Sequence, residues 1–216
     1  GLCMPTYAVL TGDIVKSRDI APRAQLLATL KEALATAGEH HQGEYNIYRG
    51  DSFQMVIPTA AMAAQVAIII RAKLKSQSPD KSNLWDARIS IGIGDITYRG
   101  DNIIESDGPA FLLSGEGMTE LSEKRKRLII KAPWDQADRS LSLVTRFADD
   151  IINNWSRYSA ETAFYSLVYN ESQSVLAKRL GKTQSTINER ISTAKLDLIR
   201  AYIQHVDDYI SWETRA

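Results

Sequence analysis

Two carboxylates are the first residues in this chain that could do chemistry. Asp13 ends the apolar run in YAVLTGDIVKSR (residues 7–18). Asp51 sits in YNIYRGDSFQMVIP (residues 45–58), at the Arg-Gly-Asp between two alternating apolar segments. Two acids brought close together repel unless a cation lies between them. Mg²⁺ or Mn²⁺ suits such a pair, because these ions take one or two carboxylates and complete their shell with phosphate oxygens and water. After Asp13, Ile14 and the backbone N–H groups of Lys16, Ser17 and Arg18 approach a helix start, an arrangement that can cradle phosphate. Arg49 joins them as a candidate nucleotide-binding residue, although Arg18 and Arg49 could instead neutralise the acids without any metal. Asp13 as a turn cap and Asp51 as an ordinary turn residue are the plainer readings. Asp95 and Asp101 are further acids, each also suited to a strand end or a turn. No residue is assigned a catalytic role.

A second set of polar residues lies in SVLAKRLGKTQSTINERISTAKLDLI (residues 174–199). Val175, Leu176 and Leu180 make one short apolar stripe, and Gly181 breaks it. Thr183 caps a second helix with Ile187, Ile191, Ala194 and Leu198 on its buried side. Two short helices joined by a glycine turn make a helix-turn-helix. Its second helix would present Gln184, Ser185, Thr186, Asn188 and Glu189, types that read base edges. Lys178, Arg179, Lys182 and Arg190 around them would meet phosphates. A helical hairpin used for protein contacts is the alternative. Tyr158, Phe164, Tyr165 and Tyr169 nearby read as core rather than as a platform for stacked bases.

The elements that must position these residues follow from periodicity. Tyr7 to Leu10 read as a buried strand. Residues 20–37 read as a helix through Leu26, Leu27, Leu30 and Leu34, with Pro22 in its first turn and Gly38 at its end. The segment around Arg49-Gly50-Asp51 is a hairpin. Pro58-Thr59 leads into a helix over 60–76. Ala87, Ile89, Ile91 and Ile93 alternate in a strand, ESDGPAFLLSGEGMTEL turns into a helix, and RLIIKAP is a short strand. The order is βαββαβ with one extra helix and strand, a ferredoxin-like sheet with helices on one face. Beyond about Asp138 only helical signals remain. Leu141, Val144, Phe147, Ile151 and Trp155 line one face of the first of these helices. The division expected is a sheet domain over 5–135, a connecting helix over 136–157 and an all-α helix-turn-helix domain over 158–212. YRGDS (48–52) and YRGDN (98–102) repeat as two similar turns.

Composition narrows the classes. With 216 residues, 44% hydrophobic and 24% charged, the chain is an ordinary globular one. Its 26 basic and 26 acidic residues cancel, so nucleic-acid binding must rest on a local patch. Cys3 is the single cysteine, which excludes a disulfide framework within the chain and favours a reducing compartment. Three histidines, among them His40 and His41, and one cysteine make no zinc pattern. No apolar run is long enough to span a bilayer and no leader pattern opens the chain, so a cytoplasmic location is expected.

Asp13 at a strand end, RGDSF at a hairpin, ARISIGIG as the next strand and SDGPAFLL opening a helix resemble the palm domain of class III nucleotide cyclases over about residues 5–133. The same fold is similar to that of GGDEF-type diguanylate cyclases. The resemblance implies that Asp13 and Asp51 hold the divalent ions that bind a triphosphate. The family's transition-state asparagine and arginine fall at about Leu112 and Glu116 here, so the usual cyclising groups are missing. The segment LAKRLGKTQSTINERI resembles the helix-turn-helix of sigma-type regulators. YAVLTGDIVKSR together with the helical tail resembles the SatD-like family of bacterial proteins. These readings lead to a DNA-binding transcriptional regulator, expected as a homodimer, whose cyclase-like domain senses a nucleotide and a divalent metal. The alternatives are a divergent metal-dependent nucleotidyl cyclase or other phosphoryl-transfer enzyme, and an interaction scaffold with neither activity.

Overall fold

A computed structural model describes residues 6–15, 22–97, 106–124 and 126–215. Lys16, Ser17, Arg18, Asp101 and the second Tyr-Arg-Gly-Asp segment lie outside them. Five strands form one mixed sheet in the order β2-β3-β1-β4-β5: β1 (Tyr7–Ile14), β2 (Glu44–Tyr48), β3 (Ser52–Ile57), β4 (Ala87–Gly94) and β5 (Leu128–Lys131). The first four are mutually antiparallel neighbours, the ferredoxin-like arrangement expected, and β5 joins parallel to β4. Helix α1 (Arg23–His41) links β1 to β2, and α2 (Ala63–Ser76) links β3 to β4. Helix α3 (Pro109–Lys124) crosses from β4 to β5.

The helices flank both faces of the sheet, not one. Alternation along β1 sends Ala8, Leu10 and Ile14 into the core shared with α1 and α2. Val9 clusters instead with Ala110 of α3, and the Thr11 hydroxyl bonds Ser114 of α3 at 2.7 Å. On β4 the isoleucines Ile89, Ile91 and Ile93 join the main core. Ser90 and Gly92 turn toward α3, where only small residues let a helix approach so closely.

Two helix boundaries shift. Helix α1 runs through Gly38 to His41 and ends where Gln42 takes a left-handed φ of 54°. Residues 60–62 form a 3-10 turn before α2, and Thr59 makes no capping bond. Five helices follow the sheet: α4 (Asp135–Asn153), α5 (Arg157–Tyr169), α6 (Gln173–Leu180), α7 (Gln184–Thr193) and α8 (Leu196–Glu213). The expected connecting helix over 136–157 stops at Asn153. Trp155 is buried beyond its end, donating its indole N–H to the Ala194 carbonyl at 2.8 Å. Phe147, expected on the buried face of α4, is 66% exposed. Helix α5 packs along α2, and α8 packs on α4 and the 3-10 turn. One apolar cluster therefore continues from Ala8 and Ile70 through Phe164 to Val206 and Ile210. Each fully buried aliphatic side chain in it contributes roughly 1.5–3 kcal/mol. No described helix is long and apolar enough to cross a membrane.

Candidate nucleotide and metal site

Asp13 lies directly across β1 and β4 from Arg88. The guanidinium grips it with both arms: Nε donates to Oδ1 at 2.9 Å and Nη2 to Oδ2 at 2.6 Å. This hydrogen bonding holds the Arg88 pKa above its usual value against some desolvation. The partner that neutralises Asp13 here is a cross-strand arginine, Arg88; of the two arginines expected to do so, Arg18 lies outside the described residues. On the other side Asp13 is level with Ser52, and the Ile14 N–H donates to the Asp51 carbonyl at 3.0 Å. The end of β1 and the turn before β3 are therefore fastened together, which brings both acids to one end of the sheet. The Ile14 side chain itself is buried in the core, so only its backbone faces that end. Arg49 and Gly50 take positive φ angles of 55° and 81° to make the turn. Arg23, at the start of α1, reaches over Gly50. The Tyr48 phenol is pushed above its usual pKa by burial, with Arg49 pulling it down and Asp13 pushing it up. Asp95 follows β4 at the opposite end of the sheet, where its carbonyl accepts from Ala110, and takes no part.

Below this end sits a buried ion cluster. Arg71 of α2 donates to Asp86 through Nε at 2.9 Å and Nη2 at 2.8 Å, and to Asp149 of α4 through Nη1 at 2.7 Å. Its Nη2 also reaches the Asn153 amide oxygen at 2.6 Å. Arg127 adds a bond to Asp86 at 2.9 Å. Lys75 donates to the Ile152 carbonyl at 2.8 Å, at the end of α4. Burial opposes ionisation of Asp86, but Arg71 outweighs it and holds the carboxyl down at about 2. Burial lowers Lys75 to about 8 despite the attraction of Asp86. The Val15 N–H donates to the Asp86 carbonyl at 3.0 Å, so the chain leaving β1 is tied to this cluster.

In the tail, Gly181 turns the chain with φ 64° and the Thr183 hydroxyl accepts from the Thr186 N–H at 3.1 Å. Leu176, Ala177 and Ile187 pack between α6 and α7. Lys178, Lys182, Gln184, Ser185, Asn188 and Glu189 are exposed, and Thr186 is half-buried. Two expected phosphate contacts are engaged elsewhere. Arg179 pairs with Glu171 and lies 3.8 Å over the Tyr169 ring. Arg190 reaches Glu161 at 3.4 Å and lies 4.7 Å over Tyr158. Those two tyrosines are half exposed, unlike Phe164, which is core. Leu198 is not on the buried face of α7: Lys195 takes φ 52°, a new helix begins at Leu196, and Leu198 is exposed.

The model of the SatD family matches residues 7–207. The chain belongs to the SatD family. A comparison with curated proteins finds no match. Among solved structures, this SatD chain is similar to a bacterial light-regulated adenylyl cyclase at 12% identity, covering 58% of this chain and 75% of that one with a TM-score of 0.43. It is similar to the GGDEF domain of DgcB from Caulobacter crescentus, in complex with c-di-GMP, at 12% identity, 59% and 77% coverage and a TM-score of 0.44. It is also similar to the guanylyl cyclase domain of the RhoGC fusion protein from Blastocladiella emersonii at 20% identity, 53% and 74% coverage and a TM-score of 0.40. No activity is carried over from these likenesses.

The donor set of this SatD chain can be tested against a divalent ion directly. No group of three or more His, Cys, Asp or Glu stands together among the described residues. An all-protein cage of such side chains is therefore absent among the described residues. Two carboxylates, with phosphate oxygens and water completing the shell, do fit the donor preference of Mg²⁺ or Mn²⁺. An Asp carboxylate has about four lone-pair sites, so the two taken by Arg88 leave others for a metal. Arg88 was not foreseen because its role depends on cross-strand register. The detectable signal is a basic residue two positions after Asp86 on the strand expected to lie beside β1.

Proposed function

We propose that this SatD-family protein binds the phosphates of a nucleotide with a divalent cation at the Asp13–Asp51 end of its sheet, and that phosphoryl transfer is the chemistry this site supports. One observation carries the reading. Asp51 is bonded through its carbonyl to the residue after Asp13, so two acids 38 positions apart share one sheet end. Asp13 and Asp51 would hold the cation, which supplies charge neutralisation to the phosphoryl oxygens. Arg88 aims the Asp13 carboxylate before ligand arrives. When the carboxylate is shared, the freed guanidinium arm is placed to meet a phosphate as a bidentate donor. Arg49 and Arg23 add positive potential over the turn. Leu112 and Glu116 on α3 are exposed and offer neither an amide nor a guanidinium, so the reading extends to phosphoryl transfer and not to cyclisation by the usual groups.

Calorimetry with Mn²⁺ and nucleoside triphosphates tests this. Asp13→Asn and Asp51→Asn are each expected to weaken cation-dependent binding by at least about tenfold, roughly 1.4 kcal/mol. Arg88→Met is expected to tighten Mn²⁺ binding alone while weakening the nucleotide. Unchanged binding in both aspartate variants would sink the reading.

A second reading rests on the tail. The capped start of α7 exposes Gln184, Ser185, Asn188 and Glu189 beside Lys178 and Lys182. We infer a DNA-binding face there, used by two copies on two half-sites. Fluorescence anisotropy on DNA from upstream of the protein's own gene checks it. Lys178→Ala with Lys182→Ala should lower the slope of log affinity against log salt by about 0.9 per lost phosphate contact. Arg190→Ala should leave that slope unchanged, since Glu161 already holds Arg190. Equal affinity for random DNA at every salt concentration would dismiss this second reading.

A further inference from the structure

A cavity of about 320 Å³ lies away from both sites, where the sheet domain meets the tail. His40 and His41 end α1, at the end of β2 opposite the Arg49–Asp51 turn. Gln65 enters from α2, Asn170 follows α5 and Arg200 enters from α8. Its lining contains basic and neutral polar groups but, among the described residues, no carboxylate.

One buried atom in this cavity lacks, among the described residues, the partner that burial ordinarily demands, and an exposed guanidinium beside it lacks a carboxylate. His41 Nε2 is buried and has no hydrogen-bond partner among the described residues. A buried polar atom left this way costs about 1–3 kcal/mol unless something satisfies it. Arg200 donates through Nη2 alone, to the Ser166 carbonyl at 3.0 Å and hydroxyl at 2.7 Å, and has no carboxylate partner among the described residues. A guanidinium carries five donors, so an anion can take from solvent those of this exposed side chain that Ser166 does not hold. Desolvation holds its pKa below the usual value, the reverse of Arg71, where two carboxylates compensate burial. The Gln65 amide reaches the Leu167 carbonyl only at 3.5 Å, a long bond that a better acceptor would displace.

We propose that this cavity binds a compact phosphate-class oxyanion, held by Arg200 and by donors from His41, Gln65 and Asn170. An oxyanion supplies acceptors to each of these groups at once and cancels the unpaired guanidinium charge. The volume exceeds what one phosphate fills, since a water's share is about 30 Å³. A phosphate group on a small organic body therefore also fits. Because the walls come from α1, α2, α5 and α8, the bound anion tethers the tail to the sheet domain. The proposal does not depend on nucleotide binding at Asp13 and Asp51.

The test uses the full chain and inorganic phosphate, titrated against chloride at matched ionic strength, read by calorimetry and thermal melting. A saturable, phosphate-specific rise in melting temperature is expected, as a ligand of the native state produces. Arg200→Gln and, separately, Asn170→Asp should each weaken phosphate at least about tenfold, the loss of one charge-assisted contact or the gain of one repulsion. Asn170→Asp keeps the side-chain shape and suits the left-handed backbone there (φ 51°), so it reads the site even if Arg200→Gln folds poorly. Asp51→Asn should leave the response intact, which separates this cavity from the sheet-end site. A phosphomonoester that binds more tightly than phosphate identifies an organic ligand, and the reverse identifies free phosphate. A response matched by chloride, retained in both cavity variants, or lost in Asp51→Asn overturns the proposal.

Discussion

Replacing Arg71 with methionine is expected to destabilise the protein by about 3–5 kcal/mol, the cost of breaking a buried charge pair and leaving its partners behind. Arg71 is fully buried and ties α2 to Asp86, just before β4, and to Asp149 and Asn153 of α4. Its removal leaves Asp149, among the described residues, with the backbone N–H of Arg127 at 3.1 Å as its donor. Arg71→Lys should recover little, because an ammonium cannot reproduce the fork that meets both oxygens of Asp86. Urea unfolding measures this, and a change below 1 kcal/mol would contradict the cluster as described.

The pH profile gives a second readout of the same cluster. Asp86 is held at about 2 when folded, against an ordinary value near 3.9. The unfolded chain binds the proton more readily, so stability is present above about pH 4 and is lost as pH falls toward 2. Lys75 is lowered to about 8, against about 10.4 when unfolded. Here too the unfolded state binds more protons in the window between, so stability rises from pH 8 to about 10.4. In Arg71→Met the acid transition should move to higher pH, because the largest charge holding Asp86 down is gone.

The contrast with Asp13 and Arg88 separates structure from function. That pair is 23% and 30% exposed, so solvent partly screens it and breaking it costs on the order of 1 kcal/mol, well below the buried cluster. A cation or a phosphate can therefore compete for either partner without unfolding the sheet. Arg71 and Asp86, 0% and 1% exposed, are not available in that way.

The strands were readable because alternation is a strong signal on a half-buried sheet, and Ile89, Ile91 and Ile93 show it plainly. From that pattern Asp13 falls at a strand end and Asp51 in a hairpin. The ion cluster was harder to see, since Arg71 and Lys75 look like surface residues of an amphipathic helix. The clue lay in Val66 to Ile70, apolar all round, which marks a helix buried on every side and forces its charges inward. The placement of α3 was also encoded and missed. Ser90 and Gly92 between the isoleucines of β4 read as a weak polar face, when they are the small residues of a second buried one. The partners of Asp13 depend on register and on side-chain reach, which local pattern does not specify.

Gly92 is where that second face can be broken by one methyl group. A Cβ there would come within 2.2 Å of the Ala110 carbonyl and 2.4 Å of the Ser114 nitrogen, both backbone atoms of α3. Backbone cannot rotate away, so the whole helix must shift. Gly92→Ala is expected to cost about 3 kcal/mol, the upper part of the range for overpacking. At about 2–4 °C per kcal/mol for a chain of this size, the melting temperature should fall by roughly 6–12 °C. Gly115, on the same helix, has nothing within 4 Å of its would-be Cβ. Gly115→Ala should instead stabilise by up to about 1 kcal/mol through helix propensity. Opposite signs from the same chemical change would place α3 against β4 independently of any ligand. The displacement also reaches the site. Ser114 is bonded to Thr11, and Thr11 and Asp13 share one face of β1. Gly92→Ala should therefore weaken Mn²⁺–nucleotide binding although Gly92 is four residues along β4 from Arg88, while Gly115→Ala leaves that binding unchanged.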